Sequence, residues 1–174
     1  MKRLLPFLLL IFLVGACSQP VVEPVEIDSV HHPLPEEMPE DFGFAVQFGI
    51  WSRNEINTFE GSFTKDLISA GTITTDLTFT EQEMDFIYGQ MKEITIADTK
   101  QLIPEPIGCA MEPYGEDEWV ILINGETIKH SVSETYCEPT HDAQQLIDLR
   151  ETIFDLIKKK DVYKELPEAV GGYE

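Results

Sequence analysis

Trp119-Val120-Ile121-Leu122-Ile123-Asn124-Gly125-Glu126-Thr127-Ile128-Lys129-His130-Ser131-Val132 is an apolar run, a turn dipeptide and a returning run. Asn124-Gly125 supplies the two positive-φ positions of a type I′ turn, whose twist matches that of two antiparallel strands. A hairpin follows, and the rest of the chain is read outward from it. Upstream, Phe42, Phe44, Val46, Phe48 and Ile50 alternate with Gly43, Ala45, Gln47 and Gly49, the period of a half-buried strand. Ile56 to Leu67, rich in Thr and Phe, predicts a second strand with a bulge or close approach at Gly61. In a third, Ile73, Thr75, Leu77 and Phe79 share one side.

Two helices complete the pattern. Thr80-Glu81-Gln82-Glu83 has the form of a capping box, and Met84, Ile87, Tyr88, Met91 and Ile94 recur at helical spacing behind it. Asp142-Ala143-Gln144-Gln145 offers a second cap before the stripe Leu146, Leu149, Ile153, Leu156 and Ile157. Lys158-Lys159-Lys160 suits the negative end of that helix dipole. Three strands, a helix, a hairpin and a helix predict an α+β domain. Its core is a small antiparallel sheet of about five strands with both amphipathic helices on one face. Tyr163, Leu166 and Pro167 read as a short docked segment, and Gly171 to Glu174 as a loose end.

Between the first helix and the hairpin, residues 97–118 carry Pro104, Pro106, Gly108, Pro113 and Gly115 and lose all periodicity, so they read as a long loop. Cys109 and Cys137 stand on either side of the hairpin, 28 residues apart, and its converging ends bring them to one region. A disulfide is the expectation, with two independent thiols as the alternative. His130 and His141 lie nearby, but the short knuckle spacings of a Cys₂His₂ centre are missing, so no metal is assigned. His130 alternates with Ile128 and Val132 as a half-buried strand residue, and His141 beside a helix cap reads as exposed. Glu112, Glu116, Asp117 and Glu118 lack the order of an EF-hand loop and read as a solvated acidic loop. Trp51 and Trp119 read first as core or interface aromatics. No Gly-x-Ser-x-Gly, His-Glu-x-x-His or Gly-x-Gly-x-x-Gly sequence occurs, so no catalytic residue or cofactor is assigned.

The beginning of the chain carries an address. Lys2 and Arg3 precede an apolar run of thirteen residues from Leu4 to Ala16, against roughly 20 for a spanning helix, and polar Ser18-Gln19-Pro20 follows at once. Leu13-Val14-Gly15-Ala16-Cys17 resembles the lipobox of bacterial lipoproteins. That resemblance implies cleavage between Ala16 and Cys17 and a diacylglycerol thioether, usually with an N-acyl chain, on Cys17. Residues 1–16 are then a signal peptide and residues 17–41 a lipidated tether, with five prolines from Pro20 to Pro39 spaced by acids, extended enough to reach roughly 30 to 70 Å. His31-His32 within it reads as exposed linker. Residues 42–174 form the single α+β domain.

Net charge is −20, and loss of Lys2 and Arg3 with the signal makes it two units more negative. Phosphate backbones and anionic lipid surfaces repel such a chain, so nucleic acid is not an expected partner and membrane contact rests on the lipid. Asn54-Glu55-Ile56-Asn57-Thr58-Phe59-Glu60-Gly61-Ser62-Phe63-Thr64-Lys65-Asp66-Leu67, and Val162-Tyr163-Lys164-Glu165-Leu166-Pro167 with Gly171-Gly172-Tyr173, resemble segments of a group of uncharacterised bacterial envelope proteins. The resemblance implies an envelope location and brings no activity. The expectation is a membrane-anchored lipoprotein that presents a non-enzymatic binding domain to an envelope protein partner. The alternative is an envelope enzyme or small-ligand-binding protein that uses the 97–118 loop with Trp51 or Trp119.

Overall fold

A computed structural model describes residues 33–173. The strands are β1 (Gly43–Phe48), β2 (Asn54–Asn57), β3 (Ser62–Asp66), β4 (Thr72–Asp76), β5 (Glu116–Ile123) and β6 (Glu126–Ser133). The helices are α1 (Glu81–Glu93), α2 (His141–Lys158) and a single-turn α3 (Asp161–Lys164). One sheet holds all six strands in the order β4-β3-β2-β1-β5-β6, and every neighbouring pair is antiparallel. The strand count exceeds the expected five because Ile56 to Leu67 is two strands. The Asn57 side-chain oxygen accepts from the amides of Phe59 and Glu60 at 3.1 Å each, and Gly61 at φ +63° completes the reversal. The feature read as a bulge is a hairpin turn.

Register decides which side chains are buried. Val46 lies between Ile56 and Trp119, and Ile56 lies opposite Phe63, so one face of the sheet is continuously apolar. Ile87, Tyr88 and Met91 of α1 and Leu146, Leu149, Ile153 and Ile157 of α2 close over that face in a single core. Each such side chain contributes about 1.5–3 kcal/mol on burial. The other face carries Gln47, Thr64, Thr74, Glu118 and Ser131 and stays polar, as an antiparallel sheet covered on one side should.

The hairpin folds as predicted, with Asn124 at φ 51° and Gly125 at φ 77°. Thr80 and Glu83 form the capping box reciprocally. The cap of α2 is Thr140 rather than Asp142, because the Thr140 hydroxyl is the group that accepts from the Ala143 amide, at 3.1 Å. Lys160 does more than meet a helix dipole: it leaves α2 and pairs with Glu83 of α1 at 2.7 Å, tying the two helices together.

Both flanks of the domain are docked. Leu34 and Met38, in the stretch read as tether, pack on the core, and the Tyr88 hydroxyl donates to the Pro35 carbonyl at 2.8 Å. Packing thus begins upstream of Phe42. At the other flank, Val170 forms a parallel bridge with Ile68, and the Tyr173 hydroxyl bonds the Asp66 carboxylate, so the stretch read as a loose end is held through Tyr173.

Candidate functional site

The turn from β1 to β2 projects a tryptophan. The Ser52 amide closes it by donating to the Gly49 carbonyl at 3.0 Å, and Trp51 and Ser52 hold φ values of 57° and 50°. A bulky side chain in that left-handed region costs of order 1–3 kcal/mol and persists where the surroundings impose it. Trp51 is 71% exposed, and its ring meets Tyr173 edge-on, with centroids 5.2 Å apart and planes at 86°. Asp66 positions that tyrosine: its carboxylate receives the Tyr173 hydroxyl and the Ile68 amide and pairs with Arg53 at 3.5 Å.

Loop residues close the other side. A bridge between Ile50 and Gly115 and the bond from the Glu116 amide to the Gly49 carbonyl, 3.1 Å, bring the end of the 97–118 loop against the Trp51 turn. The result is a groove of about 510 Å³ walled by Trp51, Tyr114 and Tyr173, with Pro113 between Glu112 and Tyr114 in its lining. Glu112 and Glu116 are the acidic residues of its lining, and among the described residues neither is paired with a cation.

A second hollow of about 470 Å³ shares Ile50, Pro113 and Tyr114 with the groove and contains Arg150. The guanidinium donates to Asp117 at 3.0 Å, Glu134 at 2.6 Å and Glu151 at 2.7 Å, and lies 5.5 Å from the Phe48 ring centre. Asp117 is fully buried, and burial pushes its carboxyl up to about 6 against the opposing pull of Arg150. Burial disfavours charge on Arg150 too, but its carboxylates outweigh that and raise it above its ordinary value. The second Asp117 oxygen, Oδ1, and the Trp119 ring nitrogen are buried with no hydrogen-bond partner among the described residues.

No protein-family model, curated protein or solved structure matches this chain. Cys17 lies outside the described residues, as does His31-His32. Cys109 and Cys137 are joined as a disulfide with Cα atoms 5.5 Å apart, on the loop that leads to Glu112 and Tyr114. Trp119, one of the two tryptophans proposed for a pocket, is 1% exposed and belongs to the core; only Trp51 reaches the groove. Of the acidic run, Glu116, Asp117 and Glu118 are strand residues, and Asp117 faces inward.

His130 is half-buried, its Nε2 2.7 Å from the Ile96 carbonyl, and burial lowers its pKa. His141 opens α2 and is exposed. Among the described residues no group of His, Cys, Asp and Glu is placed to hold a metal ion, and no helix is long and apolar enough to cross a membrane. Sequence reasoning missed Tyr173 and Arg150. Tyr173 follows Gly171-Gly172, which reads as a loose end, and Arg150 stands directly after the stripe residue Leu149, where its burial could have been noticed.

Proposed function

We propose that this chain is a lipid-anchored envelope protein whose domain is a binding module, with the Trp51 groove as its recognition surface. The observation that carries the reading is Trp51 itself, an exposed indole held in a costly backbone conformation beside Tyr173. Nothing in the packing of the core requires that ring to be there. The anchor is Cys17. The partner is an envelope protein, not a nucleic acid, because the chain is strongly acidic.

A second reading, an envelope enzyme or small-ligand-binding protein, draws on Glu112, Pro113 and Tyr114, which bring the 97–118 loop into the groove. Photo-crosslinking in cells separates the readings. A photoreactive residue at position 51 is expected to give a discrete protein adduct in the membrane fraction that a probe at exposed Asp148 does not give. Cys17→Ser is expected to release the chain from that fraction and abolish the adduct. The same pattern from both positions, or turnover of hydrolase substrates that depends on the loop, overturns the binding-module reading.

A further inference from the structure

Resting on the groove reading above, we infer that the ligand of the groove is a guanidinium group, presented as an arginine side chain of the partner. Three features of the groove fit that group together. Trp51, Tyr114 and Tyr173 offer aromatic faces and edges, Glu112 and Glu116 are its acids, and among the described residues these acids lack a cation of their own. A planar guanidinium stacks on aromatic rings and bonds a carboxylate through two parallel donors, which a compact ammonium does not. A neutral or anionic ligand fits worse: closing it over Glu112 and Glu116 desolvates two charges without compensation.

The neighbouring hollow contains the same recognition made internally. There Arg150 is bound by Asp117, Glu134 and Glu151 and lies against Phe48. The two hollows share Ile50, Pro113 and Tyr114, so one wall separates a carboxylate-aromatic site filled by the chain's own arginine from one that is open. The net charge of −20 attracts a basic partner from a distance, and the groove then selects among basic groups.

The test uses the full chain in nonionic detergent and two synthetic peptides, Gly-Arg-Gly-Arg-Gly and its citrulline counterpart, which keeps the planar shape and loses the charge. Calorimetry and Trp51 fluorescence are the readouts, with buried Trp119 as a constant background. The arginine peptide is expected to bind and the citrulline peptide to bind at least tenfold more weakly. Glu112→Gln with Glu116→Gln, and separately Trp51→Ala, are expected to weaken the arginine peptide at least tenfold. Glu60→Gln with Glu81→Gln, two exposed acids outside the groove, is expected to leave it within twofold.

Equal binding of both peptides, or equal weakening by the two pairs of glutamine substitutions, overturns the inference in favour of an apolar groove or a diffuse acidic field. Failure of the arginine peptide to bind overturns it as well. If a position-51 adduct still forms in cells, that failure removes only the guanidinium; if the adduct is also absent, the groove reading falls with it.

Discussion

Asp117 stands two residues before Trp119 on the inward face of β5, where Trp119, Ile121 and Ile123 are buried, and a carboxyl there carries a cost that depends on pH. Its folded-state value of about 6 lies above an ordinary value of 3.8. Between those limits the folded chain binds more protons than the unfolded chain, so this group's contribution is complete below about pH 4 and is lost as pH rises through about 6. The shift corresponds to about 3 kcal/mol. Asp117→Asn removes the titration and adds a pH-independent cost, since the amide donors enter a buried site. Urea denaturation of both chains at pH 4 and pH 7 is expected to show the variant gaining about 2 to 3 kcal/mol on the parent as pH rises. A difference that does not change with pH overturns the assignment. Glu83 moves the opposite way, held low by Lys160 and the Thr80 amide despite its own burial cost, so the parent's raw pH profile mixes the two and the comparison with Asn is what isolates Asp117. The inward position of Asp117 was legible in principle. It shares parity with Trp119, but Glu116-Asp117-Glu118 reads as solvated acid until the strand is extended three residues upstream.

The hairpin of β5 and β6 shows how far local sequence reaches at the scale of an element. Asn124-Gly125 specifies the turn and alternation specifies the strands, and the paired register runs without a break from Glu116↔Ser133 to Ile123↔Glu126. What the dipeptide does not disclose is that Asp41, 83 residues from Asn124, caps the turn, its carboxylate accepting from the amides of Asn124 at 3.0 Å and Gly125 at 2.6 Å. Asp41→Ala is expected to lower unfolding free energy by about 1 kcal/mol, the scale of charge-assisted bonds discounted for exposure. Thr80→Ala, which removes the capping box of α1, belongs on the same scale. Amide hydrogen exchange distinguishes them: Asp41→Ala is expected to speed exchange at Asn124 and Gly125 while leaving the first turn of α1 unchanged, and equal effects at both places contradict the local account. Elements marked by their own residues were thus readable, including both long helices and β1. Contacts between remote segments were not, and these hold the groove together, as with Tyr173 on Asp66 and Ile50 against Gly115.

On the scale of the whole molecule, the disulfide ties the loop that supplies Glu112, Pro113 and Tyr114 to the groove to the segment that follows β6. Cys109 lies in the long loop and Cys137 just after β6, and their backbones also meet through the Cys137 amide and the Cys109 carbonyl at 3.4 Å. Between Cys109 and the sheet lie Glu112, Pro113 and Tyr114, so this short stretch is tethered at one end by the bond and at the other by the Ile50 and Gly115 bridge. A closed loop with a separation of 28 residues restricts the unfolded chain by about 3.5 kcal/mol in the chain-entropy picture. Reduction is therefore expected to lower the unfolding free energy by about that amount. It is also expected to weaken groove binding, because the loop wall then keeps only its backbone bonds, the Met111 amide to the Thr135 carbonyl at 2.8 Å and the Glu134 amide to the Gly115 carbonyl at 2.9 Å, and loses part of its preorganisation. Cys109→Ala with Cys137→Ala is expected to reproduce both effects without reductant. Matched denaturation curves and peptide titrations of the oxidised, reduced and double-alanine chains check the two arms. If stability falls while binding is unchanged, the disulfide serves the fold alone. If neither moves, the bond constrains nothing that the backbone does not already hold, and the groove wall rests on the Met111 to Thr135 and Glu134 to Gly115 bonds together with the Ile50 and Gly115 bridge.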